Sequence, residues 1–506
     1  MGNNIAKNTF FLYIRMILVM IVNLYTVRVV LNTLGTTDYG IFNLVGGIVA
    51  MFSFITSSLS SASQRFFSFE IGKGNGSKLS NIFNVTMSSY ILLSVILLVI
   101  FEIIGFCLLD KILVNVPVER LSAANWVFQF SIITLIFTFL TIPYNAFIIA
   151  QEEMNIYAYI SILEIFLKLI LVYLLIVVDY DKLKVYSILT CIVSFIVTNV
   201  YRIYCIRKYV YCRFRFFLDK KLFKEIVGFS SWSLFDSMSS VFNAQGINIV
   251  LGTFLGPSIN AARGLAYQAS VTVNQFVLNF MTATRPQIIK KYALNEIDAA
   301  FNLMFMSSKF SFFLLLMVCQ PIIVEPNLVF EFWLGNVPEY LPEFTRLILF
   351  AILIDVISYP LTTVVQATGR IKTFSLVIGL LRLLIIPLAY FVMQAGYAPT
   401  VVFEINIILC FICLIIRLFF LKNLLGLVVL DFFNKVIARV LLVAIFSFLF
   451  SFYIYDYIPL TGVLNLVITT LLIISSCISF IFIFGLNKLE KLFLIEKVKK
   501  IKEKYV

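Results

Sequence analysis

The chain has 506 residues, of which 61% are hydrophobic and only 13% charged, with a mean hydropathy of +1.02. A soluble protein carries about 25% charged residues, so a string of soluble domains is excluded and a polytopic membrane protein is indicated. Lys and Arg number 39 against 26 Asp and Glu, and there is no histidine. The missing imidazole removes Ser-His-Asp and Cys-His nucleophiles, His-ligated metals and His proton relays; carboxylate chemistry stays open.

Met1–Asn8 is short and polar, and its one charge is Lys7. The apolar run from Phe10 to Leu31 that follows is too long for a cleavable signal peptide and reads as an uncleaved first membrane helix. At about 20 apolar residues per crossing, the hydrophobic runs predict fourteen helices. They cover 10–31, 41–62, 82–108, 124–149, 158–178, 185–205, 226–254, 262–283, 303–323, 344–366, 374–392, 401–420, 437–455 and 461–484. The seventh and eighth are unusually polar. No connecting loop exceeds about 20 residues, which leaves no room for a soluble catalytic domain. Most of the eight cysteines fall inside apolar runs, Cys410 and Cys413 among them, where a thiol acts as a small hydrophobe.

Loop charge sets the orientation. With the amino terminus inside, 28 basic residues fall on the cytoplasmic side and four on the other: Lys111, Arg120, Lys182 and Lys184. This positive-inside asymmetry places both termini in the cytoplasm and accounts for the net charge of +13 without nucleic acid. The segment Arg207–Lys224 mixes basic and aromatic residues, as expected of an amphipathic stretch on anionic lipid.

That basic segment also divides two echoing halves. Ala62-Ser63 lies 27 residues after Gly35, and Ala283-Thr284 lies 27 residues after Gly256. Six helices per half give parallel repeats, which suit two lobes rocking about a central site. The expected organisation is an N-lobe over 1–205, a basic linker over 206–225, a C-lobe over 226–420, and two further helices with a basic tail over 421–506.

Ionisable residues inside membrane helices cost about 2.5–3.5 kcal/mol on insertion scales and call for water, a partner or a function. Those here are Arg28, Glu102, Glu164, Lys168, Asp236, Arg263, Lys309, Asp355, Arg382 and Glu404. Ser233, Asp236, Ser240 and Asn243 fall on one helical face, as do Arg263, Tyr267, Ser270 and Asn274. Two adjacent polar stripes either face a wet interior or hydrogen-bond between helices. Glu164 and Lys168 have the spacing of an ion pair. Arg28 and Arg263 either snorkel to headgroups or line a cavity. Arg382, near the middle of its helix, cannot snorkel easily. A positively lined cavity suits phosphate oxygens, which bind the planar guanidinium fork; nearby amides, hydroxyls and aromatics suit sugars.

Several segments resemble the O-antigen repeat-unit flippases (the Wzx type). They are Arg28-Val-Val-Leu-Asn-Thr-Leu-Gly-Thr-Thr-Asp-Tyr-Gly-Ile41, Leu44-Val-Gly-Gly-Ile48, Ser61-Ala-Ser-Gln-Arg65, Gly264-Leu-Ala-Tyr-Gln268, Arg285-Pro-Gln-Ile-Ile-Lys-Lys-Tyr292 and Phe332-Trp-Leu-Gly-Asn-Val-Pro-Glu-Tyr340. The resemblance covers about residues 5–425. It implies an all-α protein of about fourteen helices, with two six-helix lobes around a central cavity and two helices added. The implied role is a transporter, not an enzyme, needing no cofactor or metal and binding no nucleic acid. It would move undecaprenyl-pyrophosphate-linked oligosaccharide across the bacterial inner membrane, among membrane lipids and other polysaccharide-assembly proteins. Relatives place cavity arginines in helices 1, 2 and 8, nearest here to Arg28, Arg65 and Arg263. The expected substrate-binding set is therefore Arg28, Arg65, Arg263, Arg382, Tyr267, Asn243 and Asn274, with Asp236 and Asp355 as proton or sodium sites or as neutralising partners of buried arginines. A drug or cation antiporter of the same fold, and a membrane glycan polymerase or acyltransferase, are the competing readings.

Overall fold

The computed structural model describes residues 2–50, 52–74, 76–112, 118–217, 219–255, 257–334, 337–457, 463–488 and 490–492. Among them there is no strand, as the composition requires. The helices are α1 Gly2–Ala50, α2 Ser53–Lys73, α3 Gly76–Ile112, α4 Leu121–Ala150, α5 Met154–Val177, α6 Lys182–Lys208, α7 Lys220–Leu255, α8 Pro257–Ala293 and α9 Ile297–Val324. They continue with α10 Pro326–Leu334, α11 Leu341–Ile357, α12 Tyr359–Thr368, α13 Lys372–Leu383, α14 Ile385–Gln394, α15 Thr400–Leu425, α16 Val429–Phe432, α17 Ala438–Tyr457 and α18 Val463–Phe480.

Ten segments among the described residues are long and apolar enough to cross a membrane, where the sequence predicts fourteen. The other four predicted spans lie in α1, α2, α7 and α8. These are helical; in α2, α7 and α8 Ser, Asn, Gln and Gly dilute the hydropathy, whereas 10–31 in α1 is strongly apolar. The second predicted span, 41–62, is not one helix: α1 runs on to Ala50 and the chain turns at Phe52 (φ −82°, ψ 6°) before α2. Within α1 the helical path breaks at Gly35 (φ 78°, ψ 170°). Only glycine adopts that conformation without a steric penalty, so this residue sets the change of direction. Gly256, its counterpart in the sequence echo, lies outside the described residues, as does the tail beyond residue 492. At 37 residues, α3 and α8 are each about 55 Å long and outreach the roughly 30 Å hydrocarbon core. The basic residues Arg285, Lys290 and Lys291 consequently lie on α8 rather than in a loop.

The chain divides into two compact units. The first is Met1–Met238 with Thr282–Ile297 and Gln366–Leu376; the second is Ser239–Met281, Asp298–Val365 and Val377–Val506. The core of the first joins α1, α2, α3 and α4 through Val45, Leu59, Phe101, Val127, Phe128 and Phe139. Tyr90, almost fully buried, donates its hydroxyl to the Leu59 carbonyl at 2.8 Å and shares a 2.5 Å hydrogen bond with Ser63. The core of the second joins α7, α8, α11, α14 and α15 through Leu251, Ala266, Phe344, Ile385, Ala389 and Phe403. There Lys309, only 2% exposed, is held by both carboxylate oxygens of Glu490 at 2.8 Å.

A guanidinium-lined cavity in the second unit

The two polar stripes read from the sequence meet within the second unit. Ser240 and Asn243 of α7 and Arg263, Tyr267, Ser270 and Asn274 of α8 line a cavity of about 380 Å³. The opposite walls bring Asp355 from α11, Tyr359 from α12, Arg382 from α13 and Asn406 from α15. The volume falls in the range of small-molecule sites, about 300–1,000 Å³. Helical geometry explains the convergence: spacings of three and four residues keep each stripe on one face, and apolar neighbours such as Ile247, Ala262 and Ala266 fill the core behind it.

Charge is arranged in a chain. Arg382 Nη1 donates to Ser240 Oγ at 2.7 Å, and its Nη2 stands 3.7 Å from Asp355 Oδ2. The other carboxylate oxygen, Oδ1, accepts from Arg417 Nη1 at 2.8 Å. Arg417 is nearly inaccessible, with its side chain 3% exposed. Asn243 Nδ2 donates to the backbone carbonyl of Arg382 at 2.9 Å, where α13 gives way to α14 and carbonyls lose their helical partners. Arg263 donates Nη2 to the carbonyl of Ala244 and lies 5.4 Å over the ring of Tyr267. Its Nε is buried with no hydrogen-bond partner. Asn274 donates to the Tyr359 hydroxyl at 3.2 Å, and its Oδ1 is likewise buried and unpartnered. Two guanidiniums, Arg382 and Arg417, therefore flank one carboxylate, and the cavity lining itself carries Arg263 and Arg382 against Asp355, a positive balance.

Arg263, Arg382, Tyr267, Asn243, Asn274 and Asp355 from the expected site thus share one cavity. Of the two roles left open for Asp355, it is placed as the partner of arginines. Arg65 and Asp236 belong to the first unit. Arg65 is 6% exposed; its Nε and Nη2 donate to the carbonyls of Gln366 and Ala367 at 3.2 and 3.3 Å. Its guanidinium also lies 4.6, 5.1 and 5.3 Å over the rings of Phe66, Phe69 and Phe229. The side chain of Arg28 lies outside the described residues. Glu164 and Lys168 form the expected ion pair, at 2.7 Å.

The sequence reading singled out neither Tyr359 nor Asn406, and it counted Arg417 only among the 28 basic residues of the cytoplasmic side. The correction is physical: α15 continues to Leu425, which sets Arg417 two turns inside the helix, and Asp355 provides the countercharge. An acidic residue in an otherwise apolar run, needing a partner, was the available signal.

The helical architecture, the repeated crossings and this interior polar site define a multi-pass membrane protein with the MATE-transporter fold. A point mutant of a MATE transporter superposes with a TM-score of 0.70 at 15% identity, covering 83% of this chain and 97% of that one. The MATE transporter ClbM in complex with Rb+ gives 0.68 at 14% identity, covering 85% and 97%. An outward-facing multidrug resistance MATE transporter gives 0.64 at 17%, covering 81% and 93%. The chain belongs to the polysaccharide biosynthesis protein family, whose model matches residues 5–291, more than half its length. No curated protein matches it.

Proposed function

We propose that this protein is a flippase for lipid-linked oligosaccharide, moving an undecaprenyl-pyrophosphate-linked repeat unit, such as an O-antigen unit for lipopolysaccharide, from the cytoplasmic to the periplasmic leaflet. The observation that carries the reading is the charge balance of the second unit's cavity: Arg263 and Arg382 line it against Asp355 alone, and that carboxylate is already paired from behind by Arg417. Guanidinium forks bind phosphate oxygens through charge-assisted hydrogen bonds. The open Nε of Arg263 is one donor for a pyrophosphate oxygen, and Arg382 supplies others. Tyr267, Asn243 and Asn274 suit sugar hydroxyls and ring faces. Arg28 and Arg65 belong to the first unit; Arg28 is proposed as a further cargo arginine, whereas Arg65, engaged by backbone carbonyls, is proposed to hold helices together.

Family membership supports a polysaccharide precursor as cargo. The excess of basic residues in one set of loops supports both termini being cytoplasmic in a bacterial inner membrane. Alternating access would expose the site to each side in turn. A potential negative inside favours outward movement of an anion by about 2.3 kcal/mol per charge per 100 mV. Asp236 is proposed as a proton or sodium site, and Asp355 as the neutralising partner of Arg382 and Arg417.

The fold likeness alone also suits a drug or cation antiporter. A cation site, however, needs an available acid, and the cavity's lining carboxylate is neutralised twice over.

The test is reconstitution into liposomes with a labelled prenyl-pyrophosphate oligosaccharide, reading its accessibility across the bilayer. Transfer that Arg263→Ala reduces by about ten- to a hundred-fold, the loss of one charged hydrogen bond, is the expected result. No transfer of the glycolipid, together with cation-coupled drug movement by the same liposomes, overturns the proposal.

A further inference from the structure

A second cavity, of about 420 Å³, lies in the first unit among α3, α4, α6 and the segment that follows α6. Its walls are apolar: Ile91, Phe137, Leu140 and Phe195. Its two charges are both positive, Arg202 and Arg213. Neither arginine has a hydrogen bond or ion pair to an acidic side chain among the described residues, and both are exposed. The segment carrying Arg213 is fixed in place. Cys212 is fully buried, the ring of Tyr209 packs 5.1 Å from that of Phe147, and the Arg215 amide donates to Asn84 Oδ1 at 2.8 Å.

We propose that this groove holds one anionic phospholipid of the surrounding bilayer, its phosphate between Arg202 and Arg213 and an acyl chain along the apolar wall. Three observations carry this. The groove has a polar cationic part and apolar walls, matching an amphiphile of opposite charge. It is bounded by helices long and apolar enough to span a membrane, and Phe195 and Phe214 on its lining are exposed. From Phe195 to Ile206 it follows α6 for about 16 Å, half of the roughly 30 Å hydrocarbon core and so the depth of one leaflet. A polyprenyl chain far exceeds that length. The site is separate from the cavity of the second unit and does not depend on what that cavity transports.

Native mass spectrometry of the purified full chain, titrated with phosphatidylglycerol, tests the assignment. The double variant Arg202→Gln with Arg213→Gln is expected to weaken binding about thirty-fold, equal to about 2 kcal/mol. Arg207→Gln with Lys224→Gln, which removes two exposed charges outside the groove, is expected to leave it unchanged. Unchanged thermal midpoints establish that both pairs fold. Equal loss in the two double variants, or equal retention of phosphatidylethanolamine, overturns the proposal. Displacement of the phospholipid by an equimolar prenyl-pyrophosphate oligosaccharide overturns it too, because the groove would then belong to that lipid.

Discussion

Arg65 in the first unit and Arg382 in the second are both guanidiniums set among membrane helices, yet their surroundings differ in kind. Arg65 is sealed: two backbone carbonyls take its protons and three phenylalanine rings cover it. Gly369, at φ +77°, makes this possible, since a Cβ there would stand 2.6 Å from Arg65 Nη2. Arg382 borders open volume, tied to a hydroxyl and, more loosely, to a shared carboxylate. One arginine is bound to backbone carbonyls and covered by rings, while the other is held by side chains at the wall of a cavity. What separates them is whether neighbouring acceptors are backbone, which cannot leave, or side chain, which can be exchanged.

The largest expected effect comes from the carboxylate. Asp355→Asn leaves Arg417 buried without its countercharge, and breaking such a pair costs about 3–5 kcal/mol; a chemical or thermal unfolding midpoint in detergent measures it. Adding Arg417→Met is expected to restore most of that loss. If it does not, the ion pair is not the source of the destabilisation. Next, Arg65→Ala should strip two carbonyls of their donor and cost about 2–3 kcal/mol of stability, with transport per folded molecule little changed. A stable Arg65→Ala protein that fails to transport would erase the contrast between the two arginines. Arg382→Ala should do the reverse, lowering glycolipid transfer about ten- to a hundred-fold with a smaller change in midpoint.

The smallest effect concerns the turn between α4 and α5. Burial opposes ionisation of Glu153, but hydrogen bonds from Lys208, Tyr209 and Tyr204 outweigh it and hold the carboxyl below its ordinary 4.5. A depressed carboxyl stabilises the fold above its unfolded pKa, and that contribution is lost as pH falls. The midpoint should therefore drop below about pH 4.5, and less so in Glu153→Gln, as a pH series of melting curves would read.

Local patterning made much of this legible. Helical spacing alone put Asn243 on one stripe and Arg263, Tyr267 and Asn274 on another, and the stripes do meet in a cavity. The same patterning could not say that Ser233 and Asp236, on the Asn243 stripe, belong to the other compact unit, because a helix face has no mark for where its neighbours change. Arg417 escaped for a related reason. A basic residue near a predicted helix end looks like rim charge until the helix is seen to continue and an acid on another helix is found beside it. The Gly35 break was visible only as a glycine after a long apolar run; its positive φ is a property of the backbone path. The spans in α2, α7 and α8 were the least legible, since a polar-lined helix and a short span give the same average.

The unequal grip on Asp355 carries one last consequence. Arg417 holds one carboxylate oxygen at 2.8 Å, whereas Arg382 reaches the other at 3.7 Å. Under the proposed function, a dianionic headgroup arriving beside Arg382 would need to outcompete only the weaker of these attachments, and the carboxylate it displaced would remain anchored from behind. Loading would then be an exchange of anions at a single cation, with no bare charge left in hydrocarbon before such a cargo came or after it departed.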